Sequence, residues 1–345
     1  KKQYHIFNAP YSKEEYFKKL EELDLSSWVK NTKLKERVRE HWVKFPQKYY
    51  HGRQNLNPVG DYMYNCKNAK YCNEVVEIEN GRYCNIVSLG PVKDCWDYTE
   101  WGNGAELLYE CLTVGEGANS VKFSVLCWPN VRNLEYCLNT RKSSDCFGCV
   151  GLFNKKFCIF NKQYKEEEYH RLREKIIEHM DTAPYSDKKG RIYKYGEFFP
   201  PEFSPFAYNE TNAQEYFPIT QGKADEFGFS WKKISKSSYT PTLRENDVPD
   251  KSTYLDDSIL KEIIECMHKG QCSHQCTSAF RLIASEFAFL KNAKLPLPRI
   301  CPNCRHSERM ERRNPRRLWH GKCQCNGQDA KREEKVLYTN IIALP

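Results

Sequence analysis

The stretch that decides the fold is Asn68-Ala-Lys-Tyr-Cys72, which returns twelve residues later as Asn80-Gly-Arg-Tyr-Cys84. The same pattern, Asn-x-x-(Tyr/Phe)-Cys, occurs again at Asn133–Cys137 and Asn154–Cys158. Further cysteines, preceded by other residues, continue the series at Cys95, Cys111, Cys127 and Cys146. Most steps from one of these cysteines to the next are 9–12 residues, and two are 16. A short, sustained period of this kind indicates a repeat architecture.

The repeat region predicts a β-solenoid over residues 61–163. No helical periodicity is long enough there to indicate a helix, whereas pieces such as Val121–Leu126 alternate as strands do. In a solenoid each unit buries its face against its neighbours, and ~22 residues would hold two rungs or two half-rungs. Cysteine is small and apolar enough to stack in a narrow interior. Asparagine tolerates the left-handed backbone of a tight corner.

Metal binding or redox work is the alternative role for some of these thiols. Cys146-Phe-Gly-Cys149 is the strongest case, because a C-x-x-C pair can clamp a metal or cycle with a disulfide.

The segments on either side of the repeat lack its cysteine pattern and predict other structures. Residues 1–60 predict a helical cap, in which Ser12 and Glu15 form a capping box and a second helix ends near Pro46. Residues 164–256 predict one helix, at 164–180, followed by an aromatic and Pro-rich strap laid on the rest of the protein. The alternatives are that the basic hairpin contacts RNA and that the strap is an exposed platform for unpaired bases.

Residues 257–345 carry two close cysteine pairs, Cys272-x-x-x-Cys276 and Cys301-Pro-Asn-Cys304. Two such pairs about 25 residues apart are typical of a tetrahedral four-cysteine zinc (Zn²⁺) site. Cys266 is an alternative to Cys272 as the fourth ligand, and His268 and His274 are more distant candidates. A second zinc site could use Cys323, Cys325, His320 and His306.

An arginine-rich arm follows the second cysteine pair. The guanidinium group of arginine binds phosphate through two parallel hydrogen bonds, and a neighbouring tryptophan offers a stacking face. The predicted nucleic-acid-binding residues are Arg305, Arg309, Arg312, Arg313, Arg316, Arg317 and Trp319. The spacing places Arg305, Arg309, Arg312 and Arg316 on one face if the segment is helical. The alternative is a solvated arm that pairs with an acidic protein surface.

The C-terminal module resembles the probable zinc-ribbon family. The resemblance rests on Phe280–Ile283, Glu286, Phe289-Leu290, Pro298-Arg299 and Cys301-x-x-Cys304-Arg305. This chain departs from the family pattern at three positions. Ser273 stands where the first cysteine would fall, so that Cys272 would act through a one-residue bulge, and Thr277 and Leu290 replace a glycine and a tyrosine.

Most of the chain also resembles a group of cysteine-rich zinc-ribbon proteins common in candidate-phyla bacteria. The motifs that carry this likeness are Cys146–Leu152, Asn161–Tyr164, Ser204–Thr211 and Arg313–Trp319. The resemblance implies a zinc ribbon and, in many members, a second ribbon with a late C-x-x-C, where this chain has only Cys323-Gln-Cys325. It implies no function.

Composition narrows the class of protein. The net charge of the 345 residues is +9, and an excess of arginine near the C-terminus favours a polyanion partner. Seventeen cysteines arranged in close pairs and a rhythmic series predict reduced thiols and a cytoplasmic location. No apolar run is long enough to predict a membrane span. The chain begins Lys1-Lys2 without Met or a signal-peptide pattern, which leaves its true start open.

We therefore expect an α+β, mainly β protein with an N-terminal helical hairpin, a Cys-rich β-solenoid and a C-terminal zinc ribbon. The predicted function is non-enzymatic: zinc binding and binding of nucleic acid, RNA more than DNA. The absence of phosphate-loop, dinucleotide, zincin and nucleophile-elbow motifs supports this reading. The alternatives are an interaction scaffold or assembly component that uses the solenoid face, and a thiol- or metal-dependent enzyme. The oligomeric state is left open.

Overall fold

The computed structural model describes residues 3–46, 48, 50–233, 239–252 and 255–316. These residues form two units. One contains the described residues of Lys1–Gln47 and Lys232–Asn314, and the other those of Lys48–Trp231 and Pro315–Pro345. No helix in the described part of the chain combines the length and the hydropathy needed to cross a bilayer.

The helices are α1 (Lys13–Leu23), α2 (Trp28–Trp42), α3 (Glu166–Thr182), α4 (Asn212–Tyr216), α5 (Gln221–Phe227), α6 (Ala284–Asn292) and α7 (Pro302–Met310). The strands outside the repeat are β1 (Tyr4–Ile6), β2 (Ala9–Tyr11), β17 (Tyr185–Ser186), β18 (Ile192–Tyr193), β19 (Ile264–Glu265) and β20 (Ala279–Phe280). The strands of the repeat are β3 (Gly52–Arg53), β4 (Val59–Tyr64), β5 (Lys70–Val76), β6 (Ile78–Glu79), β7 (Asn85–Val87), β8 (Val92–Lys93), β9 (Trp96–Gly102), β10 (Ala105–Gly115), β11 (Asn119–Lys122), β12 (Val125–Cys127), β13 (Arg132–Glu135), β14 (Ser144–Phe147), β15 (Lys156–Ile159) and β16 (Lys162–Gln163).

The repeat is a β-solenoid of about eight turns, as predicted. Its strands pair in parallel, except for the last pair, β15 and β16, which is antiparallel. In the parallel part each residue lies beside the equivalent residue of the next turn. One such column runs Leu108, Val121, Leu134 and Cys146. Successive residues of this column are 12 or 13 positions apart in the sequence. One repeat of about twelve residues therefore forms a complete turn of the solenoid rather than half a turn.

The turn has four sides of three residues each. In one turn the inward side chains are Leu134, Cys137, Thr140 and Ser143, all buried, and Cys146 starts the next turn. The residue before each of these five is left-handed, with φ between +47° and +55°. A left-handed backbone costs a non-glycine residue roughly 1–2 kcal/mol. The fold must therefore offset a cost at every corner.

Ladders of hydrogen bonds along the corners provide part of that offset. The Asn68 amide donates to Asn80 Oδ1 over 3.1 Å, and Asn80 donates to Asp94 over 2.9 Å. Asn133 donates in the same way to Asp145 over 2.8 Å. The predicted corner role of the motif asparagine is confirmed, because Asn68, Asn80, Asn133 and Asn154 all have positive φ.

The repeat cysteines fill the interior. All ten cysteines from Cys66 to Cys158 are buried, and they are free thiols. The Cys137 thiol donates to the carbonyl of Cys146 in the next turn over 3.5 Å. Burial raises the pKa of the Cys95 and Cys111 thiols to about 12. The Cys95 and Cys111 thiols therefore pack as neutral apolar groups, and Cys146 and Cys149 are buried to the same degree.

The far end of the solenoid is covered by α3. Tyr169 of α3 packs in a buried cluster with Phe147 and Ile159, and Arg173 forms an ion pair of 2.7 Å with Glu135. The strap follows this helix, and its first part lies on the solenoid, where the hydroxyl of Tyr136 accepts from Gly196 and donates to Glu197.

The other unit brings the N-terminal helices together with the described residues of Lys232–Asn314. Helix α1 begins with the predicted capping box between Ser12 and Glu15. The backbone N–H of Trp28, which opens α2, donates to the carbonyl of Asp250 over 2.8 Å. The guanidinium of Arg299 lies 4.6 Å above the ring of Trp28. The N-terminal helices are thereby attached to the segment that precedes Cys301.

Candidate metal centre

A short hairpin carries the first half of the centre. Strands β19 and β20 pair antiparallel, and the N–H of Cys266 extends the ladder by donating to the carbonyl of Ser278 over 2.8 Å. Lys269 and Gly270 turn the chain with φ of +49° and +76°. Cys266 and Cys276 therefore lie on opposite arms of one hairpin, although ten residues separate them.

The start of α7 carries the second half. Cys301 is the N-cap, Pro302 occupies the first turn, and Cys304 is buried one turn along. Proline suits this position because its fixed φ is helical and its missing N–H has no intrahelical partner there. The positive end of the helix favours thiolates. Burial alone would raise the pKa of the Cys301 thiol, but backbone hydrogen bonds from Cys304 and Thr277 outweigh it and lower the pKa.

The four sulfurs of Cys266, Cys276, Cys301 and Cys304 lie within 4.8 Å of one another, and all four residues are buried. The Sγ atoms of Cys266 and Cys304 are 4.0 Å apart, as are those of Cys276 and Cys301. Four sulfurs at ~2.3 Å from a tetrahedral ion would be separated by ~3.8 Å. This group could hold a metal ion.

Backbone donors support the same interpretation. The N–H of Cys301 donates to Sγ of Cys266 over 3.2 Å, and the N–H of Ser278 donates to Sγ of Cys276 over 3.4 Å. Such hydrogen bonds stabilise thiolates and fix their direction in metal sites.

Of the predicted ligands, the structure brings Cys276, Cys301 and Cys304 together. The fourth place is taken by Cys266, the predicted alternative, rather than by Cys272. Cys272 belongs to a second group of possible ligands with His268, His274 and Cys304. Among the residues predicted for another zinc site, His306 is an exposed residue of α7, whereas Cys323, Cys325 and His320 lie outside the described residues.

Two arginines of the predicted arm, Arg305 and Arg316, form ion pairs with carboxylates of the protein itself. Helix α7 ends at Met310, so of the predicted face only Arg305 and Arg309 are helical neighbours. Arg305 pairs with Glu286 of α6. In the solenoid unit, Arg316 lies 2.8 Å from Glu74 and 3.7 Å above the ring of Tyr216.

The other predicted arm residues differ in their surroundings. Arg309 and Arg312 are exposed. The Nη1 of Arg313 donates to the sulfur of Met310 over 3.5 Å. Arg317 and Trp319 lie outside the described residues.

Charge is divided unevenly between the two units. The sequence ranges of the unit with the four-cysteine group, Lys1–Gln47 and Lys232–Asn314, contain 26 Lys and Arg against 17 Asp and Glu. The remaining ranges contain 28 of each. The sequence ranges of the unit with the four-cysteine group therefore account for the whole net charge of +9.

The solenoid unit also contains a cleft of about 600 Å³, which was not among the sites predicted from the sequence. Its lining includes the carboxylates of Asp97, Glu100 and Glu110, together with Tyr216 and Arg316. Burial raises the pKa of Glu110 above its ordinary value. No sequence motif predicts this cleft, because its carboxylates come from neighbouring turns of the solenoid.

Comparison with protein-family models, with curated proteins and with solved structures finds no match for this chain. The four-cysteine group is consistent with a zinc-ribbon-like module, and no family match confirms that membership.

Proposed function

We propose that this protein binds zinc and single-stranded RNA, and that both activities belong to the unit formed by Lys1–Gln47 and Lys232–Asn314. The observation that carries the proposal is the coincidence of the four-cysteine centre with the whole net positive charge. Zinc is the metal that tetrahedral four-thiolate sites most often hold. Four protein ligands leave no open position for water or substrate, which supports a structural rather than a catalytic ion.

The surface of α2 supports a single-stranded partner. Lys35 and Arg39 of this helix are exposed, and their helical spacing places them on the same face as Trp42, which is 64% exposed. Cations beside an exposed aromatic ring suit an unpaired strand, because phosphates pair with the cations and a base stacks on the ring. RNA offers such unpaired bases in its loops and ends. Arg309 and Arg312 add two exposed guanidinium groups after α7.

Salt dependence tests this proposal. We expect a fluorescently labelled oligouridine to bind the full chain with an affinity that falls steeply as salt rises, because each neutralised phosphate releases counterions. Replacing Arg309 and Arg312 by Gln should reduce the slope of log affinity against log salt by about two. The matched control replaces Lys188 and Lys189, two exposed cations of the solenoid unit, by Gln. Binding without salt dependence, or an equal loss in the control, would overturn the proposal.

Base stacking is tested separately with Trp42→Ala. This change should weaken oligouridine binding by roughly 1–3 kcal/mol and leave the salt slope unchanged, because it removes no charge. A Trp42→Phe variant should retain most of the affinity, since it keeps an aromatic face.

A second candidate function uses the solenoid face as a docking surface for a basic peptide. The chain's own Arg316 lies in the acidic cleft against Tyr216, which shows that the cleft accommodates a guanidinium. An arginine-rich peptide should then bind the full chain, and Asp97→Asn with Glu110→Gln should abolish that binding. Unchanged peptide affinity in the double variant would exclude this candidate.

The proposed location is a reducing compartment such as the cytoplasm. The fifteen cysteines in the described part of the chain are free thiols. Oxidation of the four-cysteine group would remove its metal-binding capacity, because the thiolate is the ligand.

A further inference from the structure

Cys304 belongs to two groups of possible ligands at once. Besides the four-cysteine group, its sulfur lies with His268, Cys272 and His274, whose ligand atoms are all within 4.8 Å of one another. The Sγ atoms of Cys272 and Cys304 are 3.6 Å apart, close to the ~3.8 Å expected for two sulfurs on one tetrahedral zinc. Cys304 is therefore in position to contact a second ion.

The two histidines show the pattern of metal ligands. The Nδ1 atoms of His268 and His274 are buried and have no hydrogen-bond partner among the described residues. A buried ring nitrogen left without a partner costs free energy, unless an ion occupies its lone pair. The imidazole rings lie 5.4 Å apart.

The opposite nitrogen of His274 is already oriented. Its Nε2 lies 2.8 Å from a carboxylate oxygen of Glu311. Metal-ligating histidines usually donate their second ring N–H to a carboxylate, which fixes the tautomer and directs the other nitrogen to the ion. In this arrangement Nδ1 of His274 is the free ligand atom.

We propose that the protein holds two zinc ions that share the Cys304 thiolate. The first ion is bound by Cys266, Cys276, Cys301 and Cys304, and the second by His268, Cys272, His274 and Cys304. Each ion then has four protein ligands, and neither has an open position. The proposal concerns only the metal content, so its outcome is independent of whether the unit binds RNA.

Charge balance favours the pair over a single ion. One zinc with four thiolates keeps two uncompensated negative charges in a buried site. Two zinc ions with five thiolates and two neutral imidazoles keep only one. The second ion also ties the loop of the β19–β20 hairpin to α7, because that loop supplies three of its four ligands.

The test is to count zinc by native mass spectrometry in the full chain with Cys323→Ser and Cys325→Ser. These replacements prevent two further thiols from contributing to the count. We expect two zinc ions in this background and one after His268→Gln with His274→Gln. The matched control, His306→Gln, changes an exposed histidine of α7 and should retain two. A count of one before the histidines are replaced, or of two afterwards, would overturn the proposal.

A second measurement does not depend on the variants' folding. Two high-spin cobalt(II) ions substituted for zinc and bridged by one sulfur couple antiferromagnetically, which lowers the magnetic moment per ion. We expect this lowering when cobalt is added to saturation. Two cobalt ions with full, independent moments would show that Cys304 is not shared.

Discussion

If the four-cysteine group holds zinc as proposed, removing the ion with a chelator should unfold the unit that contains this group and leave the solenoid folded. Helices α1 and α2 contain no fully buried residue, so their own packing contributes little. They are held through Asp250 and Arg299, which lie beside the segment leading into Cys301. Structural zinc contributes ~10–16 kcal/mol in zinc-finger peptides. The four proposed ligands are themselves four of the eleven buried residues in this unit's hydrophobic cluster, so the unit should not remain folded once the ion that joins them is removed.

The size of the effect follows from where the helices lie. Of the 73 α-helical residues in the described part of the chain, 44 belong to α1, α2, α6 and α7 of this unit. The circular-dichroism signal at 222 nm should therefore fall by about three-fifths when zinc is removed. Titration with zinc should restore it, and a colorimetric chelator should report the released metal in parallel.

Two variants control this experiment. Cys301→Ser removes a proposed ligand, so the variant should show the reduced helical signal before any chelator is added. Cys137→Ser changes an equally buried thiol of the solenoid and should keep the full zinc-dependent signal. If zinc leaves and the helical signal does not change, the metal does not hold this unit together and the reasoning is refuted.

Three further predictions concern the solenoid. Leu134→Ala should destabilise it by roughly 2–5 kcal/mol in urea unfolding because Leu134 is fully buried, whereas Leu138→Ala, at a side chain 41% exposed, should cost under about 1 kcal/mol; equal effects would contradict the inward period of three. Gly102→Ala should destabilise more than Gly151→Ala, since only at Gly102 would the new Cβ strike a backbone carbonyl, although both have positive φ; similar melting temperatures would contradict this. Burial raises the pKa of Cys111 to about 12, whereas the thiol of the unfolded chain ionises near pH ~8.5. The contribution of Cys111 to the free energy of unfolding should therefore be complete below about pH 8.5 and should decrease as pH rises from there to about 12. A free energy of unfolding that stays constant across that range would contradict a buried, neutral Cys111 thiol.

The solenoid could be predicted because its interior residues repeat in the sequence. A twelve-residue turn with four inward positions leaves a rhythm of cysteines that needs no partner elsewhere in the chain. The corner geometry could not be predicted as fully. Left-handed residues are usually glycine or asparagine, but here tyrosine and lysine also occupy corners, as at Tyr136 and Lys142. Their conformation depends on pairing between turns, which a local pattern does not reveal.

The candidate metal centre could be predicted only where its cysteines are neighbours in sequence. Cys301 and Cys304 form a compact pair, which the spacing identifies. Cys266 reaches the site because strands β19 and β20 pair, and the sequence of two-residue strands indicates no such hairpin. The close spacing of Cys272 to Cys276 therefore favoured Cys272 as the fourth ligand, whereas the four-sulfur group contains Cys266, the predicted alternative. The ion pairs of Arg305 with Glu286 and of Arg316 with Glu74 depend on folding in the same way, so the arginine run alone does not reveal them.

The most direct test of this account is zinc K-edge X-ray absorption on the purified full chain. The account predicts bound zinc whose nearest neighbours are mainly sulfur at ~2.3 Å, the distance of a zinc–thiolate bond. A protein that is folded and free of zinc, or zinc surrounded only by oxygen and nitrogen, would contradict the claim that Cys266, Cys276, Cys301 and Cys304 form a metal centre.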